Sequence, residues 1–149
     1  MAIARGAGTE IIRTYHAKDM DATVNNLIFG VQHHIYTVLS FIFHTQTWQA
    51  AGNFFQLRLN AYDSKAGTTN QSIIIVQQDM SVTNTYVWND KFSFNGTEPT
   101  DFTGPLDDAA KQNAIADQGS SVAQKLILVT EHASDGAHVT CTYIDQNNS

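Results

Sequence analysis

The histidines are the side chains in this sequence that could most readily bind a metal ion, and there are 6 of them. His33 and His34 are adjacent in a segment with strand character, so their side chains leave opposite faces and cannot share one ion. His132 and His138 bracket a turn that contains Asp135, and one hairpin register would bring these three side chains together. Structural zinc prefers four close ligands. We therefore interpret the pair as solvated residues beside a turn and predict no metal and no cofactor.

Side chains suited to hydrolysis are present, but not in a catalytic arrangement. The sequence has no Gly-x-Ser-x-Gly elbow, no His-Glu-x-x-His pair and no glycine-rich phosphate loop. Asp107 and Asp108 are neighbouring acids, and their place at the start of a helical segment is explained by capping and the helix dipole. We predict that the protein is not an enzyme and has no catalytic residues.

Three aromatic residues could form a flat platform for a sugar ring: Trp48, Tyr62 and Trp88. Aromatic residues are also enriched in cores and in subunit interfaces, and we favour those places for them. A carbohydrate-binding β-sandwich module remains the alternative from another functional class. It predicts that these rings are exposed on one face of the protein.

Charge and composition exclude several kinds of partner. The chain has 149 residues, enough for one domain, and a formal net charge of −6 with scattered Lys and Arg residues, so nucleic acid is not an expected partner. Cys141 stands alone and cannot form an intramolecular disulfide. No signal-peptide core is present, and no apolar run approaches the roughly 20 residues that cross a bilayer. We expect a soluble protein, made in a cytoplasm, without a membrane partner.

The first part of the chain shows no sustained apolar periodicity. Gly6, Gly8 and the polar residues 18–21 do not indicate a core element. We interpret residues 1–26 as an N-terminal arm and residues 27–149 as the folded domain.

Strand patterns dominate the domain. Residues 32–45 are rich in β-branched and aromatic side chains at both parities, which predicts a long strand covered on both faces. Residues 55–61 alternate apolar with polar side chains, and residues 73–76 form a short β-branched run. Further strand segments are residues 86–88 and 92–94. Together they indicate antiparallel sheets.

A break in the pattern separates these strands from the last two. Residues 95–124 contain Pro99, Gly104 and Pro105, and we interpret this segment as an insertion. Within it, residues 107–117 are predicted to be helical. The closing strands, residues 125–130 and 139–144, are predicted to form a hairpin at Asp135-Gly136. These patterns predict an all-β fold, an antiparallel β-sandwich that could be a jelly roll, with an N-terminal arm and one short helix in a long insertion.

Several segments resemble a known class of proteins: residues 30–40 (GVQHHIYTVLS), 54–59 (FFQLRL), 86–92 (YVWNDKF) and 139–145 (VTCTYID). In the small β-sandwich virion proteins of tailed bacteriophages, a strand pair precedes an Asn-Asp segment and a closing Val-Thr-x-Ser/Thr-Tyr strand. The sequence is similar to these proteins over most of residues 30–145. The insertion at residues 95–124 departs from their more compact pattern.

The resemblance implies a virion structural protein, with capsid decoration (cement) as the favoured role. Such a protein would be made in the bacterial host cytoplasm and would stabilise the shell through non-covalent contacts with the major capsid protein or other virion proteins. A place at the head-to-tail junction or in the tail fits the same motifs. We also expect a homo-oligomer, with a trimer favoured.

The arm, the aromatic residues and the insertion supply the side chains predicted to contact partners. From these regions we select the following residues: Ile11, Tyr15, Trp48, Trp88, Phe102 and Leu106.

Overall fold

A computed structural model describes residues 8–20, 23–63, 69–99, 105, 107–117 and 121–148. The described residues form eleven strands and one helix, in the following order: β1 (Thr9–Met20), β2 (Val24–Phe29), β3 (His34–Thr47), β4 (Phe54–Asp63), β5 (Thr69–Asp79), β6 (Thr85–Trp88), β7 (Phe92–Asn95), β8 (Thr97–Pro99), α1 (Ala109–Asp117), β9 (Ser121–Ala123), β10 (Lys125–Thr130) and β11 (Gly136–Asn147).

The strands build two main sheets with the apolar core between them. Sheet A has the order β1-β11-β3-β6, and β7 also pairs with β3. Sheet B has the order β2-β10-β4-β5, while β8 and β9 form a separate two-stranded ribbon. The pairings are antiparallel. The predicted all-β antiparallel sandwich is confirmed.

The chain folds as nested pairs of strands that alternate between the sheets. The first strand, β1, pairs with the last, β11, in sheet A. The next inward pair, β2 with β10, lies in sheet B. At the centre of the nest, β4 and β5 are consecutive neighbours in sheet B. Contacts between residues far apart in sequence therefore hold both sheets together.

Aromatic rings fill the space between the sheets. Phe43 of β3 and Phe55 of β4 stack with ring centroids 4.1 Å apart and an interplanar angle of 20°. Phe41 lies 5.8 Å from the same Phe55 ring. All three side chains are 0% exposed. Since Phe41 and Phe43 come from sheet A and Phe55 comes from sheet B, this cluster joins the two sheets.

A bulge in β3 explains why apolar residues occur at both parities of this strand. The partners of β3 on β11 skip Leu39, so Leu39 is an extra residue. Tyr36 and Val38 face the core before the bulge, and Phe41 and Phe43 face it afterwards. The prediction that this strand is covered on both faces was wrong, because the bulge moves the core-facing parity from even to odd numbers.

The interpretation of residues 1–26 as an arm was wrong for the part that the structure describes. β1 pairs with β11 along its length. Tyr15 and Ala17 pack against the core, and Met20 is buried in it. The sequence pattern of β1 is weak because an edge strand buries few side chains, and Ile12 of this strand is 70% exposed.

The predicted hairpin at the end of the chain was also wrong. β10 belongs to sheet B and β11 to sheet A, so the Asp135-Gly136 segment connects two sheets. The buried Asp135 carboxylate accepts hydrogen bonds from the backbone N–H groups of Gln49 at 2.8 Å and His132 at 3.2 Å. Asp135 therefore holds a crossover in place.

The predicted helix is present and runs from Ala109 to Asp117. The Oδ1 atom of Asp108 accepts a hydrogen bond from the backbone N–H of Lys111 at 2.8 Å, as expected of an N-cap. The insertion leaves and rejoins the sandwich through the β8–β9 ribbon. Of the helices in the described part of the chain, none has the length and apolarity that crossing a membrane requires.

Candidate interaction surfaces

The residues predicted to contact partners differ in their exposure to solvent. Ile11 lies on β1 and is 41% exposed, so it is available to a partner. Tyr15, on the same strand, is half-buried against the core, which explains its apolar character without a partner. Phe102 and Leu106 lie outside the described residues. Contact by Ile11 stays a prediction.

The three aromatic residues do not form a platform. Trp48 is 6% exposed, packs edge-on against Phe43 and donates a hydrogen bond from Nε1 to the Asn53 carbonyl at 3.2 Å. Trp88 faces the core side of sheet A beside Phe92. The register of β4 places Tyr62 on the opposite sheet. A contact role for Trp48 is corrected, because its side chain is a core residue.

The histidine pair considered as a metal site is not assembled. His138 lies on β11 opposite His44 of β3, with ring centroids 5.9 Å apart, whereas His132 belongs to the crossover. Within the described ranges, no three His, Cys, Asp or Glu side chains come close enough to hold a metal ion.

The outer face of sheet B combines apolar with cationic side chains. Strand register arranges its central part in three rows across β2, β10, β4 and β5: Val24, Val129, Gln56 and Gln77; Asn26, Ile127, Arg58 and Ile74; Phe29, Lys125, Asn60 and Ser72. Arg58 donates to Gln56, which in turn donates to Gln77. The Lys125 Nζ lies 4.8 Å from the centroid of the Phe29 ring. These rows contain two cations and no acid, although the whole chain has a net charge of −6.

The outer face of sheet A carries mainly hydroxyl, imidazole and β-branched side chains. Thr37 and Ser93 bond through their hydroxyls at 2.9 Å, and His16 Nδ1 lies 2.9 Å from the Thr140 hydroxyl. Ile12 and Val87 are 70% and 56% exposed on this face. Exposed apolar side chains on weakly charged faces are suited to contacts with other proteins.

Asp145, like Asp135, has a buried carboxylate in the described part of the protein. Asp145 is 1% exposed. Its Oδ1 lies 2.6 Å from His34 Nδ1, and its Oδ2 accepts a hydrogen bond from the Arg13 guanidinium at 3.2 Å. Arg13 comes from β1, Asp145 from β11 and His34 from β3. This cluster therefore ties three neighbouring strands of sheet A together.

Asp145→Asn should lower the free energy of unfolding by about 1.5–3 kcal/mol, because charge-assisted hydrogen bonds in a buried place are lost. Urea unfolding followed by tryptophan fluorescence would measure it. Arg13→Met is the matched control, since the Arg13 side chain is 55% exposed and its ion pair should contribute less than about 1 kcal/mol. Equal losses for the two variants would contradict the view that the buried carboxylate organises the cluster.

Alkaline conditions should destabilise the protein through groups that are buried without charge. Burial, together with the nearby charge of Asp145, raises the pKa of Tyr36 to about 12, and burial alone raises the pKa of Cys141 to about 12. Burial also raises the pKa of Tyr143. The unfolded chain loses these protons earlier, so stability is complete below about pH 9 and falls as the pH rises towards about 12.

Urea midpoints measured between pH 8 and 11 should therefore decrease with pH, and Tyr36→Phe should make that decrease shallower. The slope is the informative quantity, because the substitution also removes a hydroxyl. An unchanged slope in Tyr36→Phe would contradict the prediction.

No protein-family model matches the sequence, and no curated protein matches it either. Among solved structures, a pilus subunit of Bacillus endospore appendages is 10% identical with a TM-score of 0.41, covering 100% of this chain and 97% of that one. A chain of the infectious bursal disease virus Gx strain is 8% identical with a TM-score of 0.48, covering 97% and 34%.

A third similar structure is the Clostridium thermocellum xylanase fragment that joins CBM22-1 and GH10 modules. It is 12% identical with a TM-score of 0.43, and the match covers 90% of this chain and 22% of that chain. This chain thus spans only about a third of the viral chain and about a fifth of the xylanase chain. At such identities and TM-scores, these likenesses do not assign a role to the protein.

Proposed function

We propose that this protein is a non-enzymatic structural subunit of a virus particle, and that its role is capsid decoration in a tailed bacteriophage. The observation that carries the proposal is the distribution of exposed large apolar side chains. They lie on strands and tight turns: Ile11, Ile12, Val24, Phe29, Val31, Ile42, Ile73, Ile74, Val82 and Val87. Ile12, Ile42 and Val87 lie on the outer face of sheet A, and Val24, Phe29 and Ile74 lie on that of sheet B, so both faces offer apolar side chains to neighbouring proteins.

The low charge of the protein supports the same role. Only 15% of the residues are charged. Few charges would therefore have to leave water when such a surface is covered, and the energetic cost of removing ions from water is correspondingly small. A stable interface of standard size buries about 1,200–2,000 Å² in total. Many copies bound to one shell would then gain avidity without any covalent step.

We infer in addition that the sandwich is a jelly roll. The nested pairs β1 with β11, β2 with β10 and β4 with β5, together with the pairing of β3 with β6 and β7, wind through two sheets in the order expected of that fold. Jelly rolls occur in viral capsid proteins and also in lectins and cupins. The strand order therefore supports a virion role, and the sequence resemblance to phage virion proteins is what favours decoration.

Co-sedimentation with capsids that lack the protein tests the proposal. The purified protein is mixed with empty capsids, the particles are pelleted, and the bound copies are counted by quantitative mass spectrometry. Hundreds of copies per particle are expected for a decoration protein. About a dozen copies or fewer would instead match the ring symmetry of a neck or tail position. No binding to capsids, with a folded protein, would overturn the decoration role.

A further inference from the structure

β5 is an edge strand of sheet B, and in the described part of the chain its neighbour is β4. Its sequence, TNQSIIIVQQD, contains no Lys, Arg or Pro, and its single acid is the last residue, Asp79. Natural proteins prevent unwanted pairing at exposed sheet edges with such residues, with short edge strands, or with strongly bulged strands. β1 carries Arg13 and Lys18, while β2 has six residues and a bulge. β5, with 11 residues and one bulge, is the long edge without charged protection.

Two large apolar side chains at the middle of β5 point to opposite sides of the sheet. Ile73 pairs with Leu59, on the core side, and is 52% exposed. Ile74 pairs with Arg58, on the outer face, and is 48% exposed. A partner that lies on one face of sheet B would cover one of them. A further strand beside β5 would flank both, because a strand continues the sheet in its own plane.

The edge is already ordered for pairing. β5 keeps its register with β4 from Thr69 to Asp79 apart from the bulge at Ile75. On the outer face, Gln77 is fixed by its hydrogen bond from Gln56, which also accepts from Arg58. A strand held in this way loses little conformational freedom when a second strand is added.

We propose that β5 pairs antiparallel with β5 of a second copy of this chain, around a two-fold axis near Ile74, so that two sheets B become one eight-stranded sheet. The centre of β5 is complementary to itself in this register. Ile74 lies opposite Ile74 on the outer face, and Ile73 lies opposite Ile75, which packs towards the core side like Ile73. Beyond the bulge at Ile75 the facing side chains leave opposite faces, so the apolar contact is confined to these isoleucines. Asp79 lies opposite Thr69, so no like charges meet across the axis.

The pairing does not require a virion, and it goes beyond the proposed function. A two-fold contact also predicts dimers or even-numbered assemblies, in contrast to the trimer that the sequence favours. Hydrogen bonds between backbones would give the contact its geometry, and the isoleucines would supply its buried apolar area.

Sedimentation equilibrium of the full chain over a range of concentrations tests the pairing. The wild type should dimerise, and Ile74→Lys should raise the dimer dissociation constant at least about tenfold, because two lysines would meet near the axis. The matched control is Ile12→Lys on β1, which places the same charge on the other sheet at a residue that is 70% exposed. This control should dimerise like the wild type, and circular dichroism would verify that both variants are folded.

Ile74→Cys gives a readout of register. Directly opposite Cα atoms in antiparallel strands are about 4.5–5.5 Å apart, within the range that a disulfide spans. Mild oxidation should therefore link two copies of Ile74→Cys and leave Ile12→Cys unlinked. The natural Cys141 is buried and should not react in either variant.

A wild type that is monomeric at all concentrations would overturn the pairing, as would a dimer that Ile74→Lys leaves intact. Hydrogen exchange adds a test of the occupant. If the β5 amides gain protection only when capsids are added, the second strand belongs to the shell and not to another copy of this chain. Failure of the pairing is distinguishable from failure of the proposed function, which is read from co-sedimentation alone.

Discussion

Replacing Gly96 with alanine is expected to lower the free energy of unfolding by at least about 3 kcal/mol. A Cβ atom at this position would lie 2.0 Å from the carbonyl oxygen of Val31 and 2.7 Å from its nitrogen. Gly30 is equally confined, since its Cβ would lie 1.8 Å from the carbonyl oxygen of Gly96. The obstructing atoms belong to the backbone, so no side chain can rotate away to make room.

These two glycines are confined because three chain segments cross here. Gly30 donates its N–H to the Gln124 carbonyl at 2.8 Å, and Gln124 donates to the Gly96 carbonyl at 2.9 Å. Gly96 in turn donates to the His34 carbonyl at 2.7 Å. Displacing the backbone by the width of a methyl group would therefore break several hydrogen bonds together, at the point where the insertion leaves and rejoins the sandwich.

Gly52→Ala is the matched control for this prediction. Gly52 has a φ of +91° and no atom within 4 Å of the added Cβ, so alanine should cost only backbone strain of about 1–2 kcal/mol. Urea unfolding of the wild type and both variants measures the difference. A loss in Gly96→Ala no larger than that in Gly52→Ala would contradict the close approach seen at the crossing.

Phe55→Ala is expected to lower the free energy of unfolding by about 3–5 kcal/mol, because it leaves a cavity at the centre of the core. The Phe55 ring stacks on Phe43 and meets Tyr86 edge-on at 5.6 Å, so its loss removes contacts between the two sheets. Thermal and urea unfolding would measure the effect.

The control for the core variant is Phe29→Ala. Phe29 lies on the outer face of sheet B and is 56% exposed, so truncation there should change stability by about 0.5 kcal/mol or little more. Equal effects of the two substitutions would show that Phe55 is not a centre of the core.

The elements that the sequence predicts well are those whose side chains alternate within one strand. Residues 55–61 were predicted as a half-buried strand and lie in β4 (Phe54–Asp63), because the alternation is local and is directly visible. The helix predicted at residues 107–117 lies at Ala109–Asp117 for a similar reason, since Asp108 supplies a recognisable cap.

The errors occur where pairing partners are distant in sequence. The closing strands have the spacing and the Asp-Gly turn of a hairpin, yet β10 finds its partners in β2 and β4, and β11 finds its partners in β1 and β3. A local turn signal cannot specify which sheet the next strand joins. β1 is not recognisable in the sequence because its core-facing side chains are few and its exposed side carries the apolar Ile12.

The candidate surfaces could be predicted only in part. The isoleucine run of β5 was visible in the sequence as a short strand, but its place at an edge follows from the order of four strands that are far apart in the chain. The rows on sheet B likewise depend on register between distant strands. The sequence cannot distinguish a contact role for Trp48 from a core role, because large aromatic side chains occur both in cores and in interfaces.

The nesting of β1 against β11 affects the order in which the protein can fold during synthesis. β1 leaves the ribosome before the other described strands, and its partner, Gly136–Asn147, is the last of these strands to emerge, on the order of ten seconds later at ordinary translation rates. β3 waits for the same segment on one of its edges. Sheet A can therefore form completely only after β11 has been translated. Any product that stops before Gly136 would leave one edge of β1 and one edge of β3 unpaired.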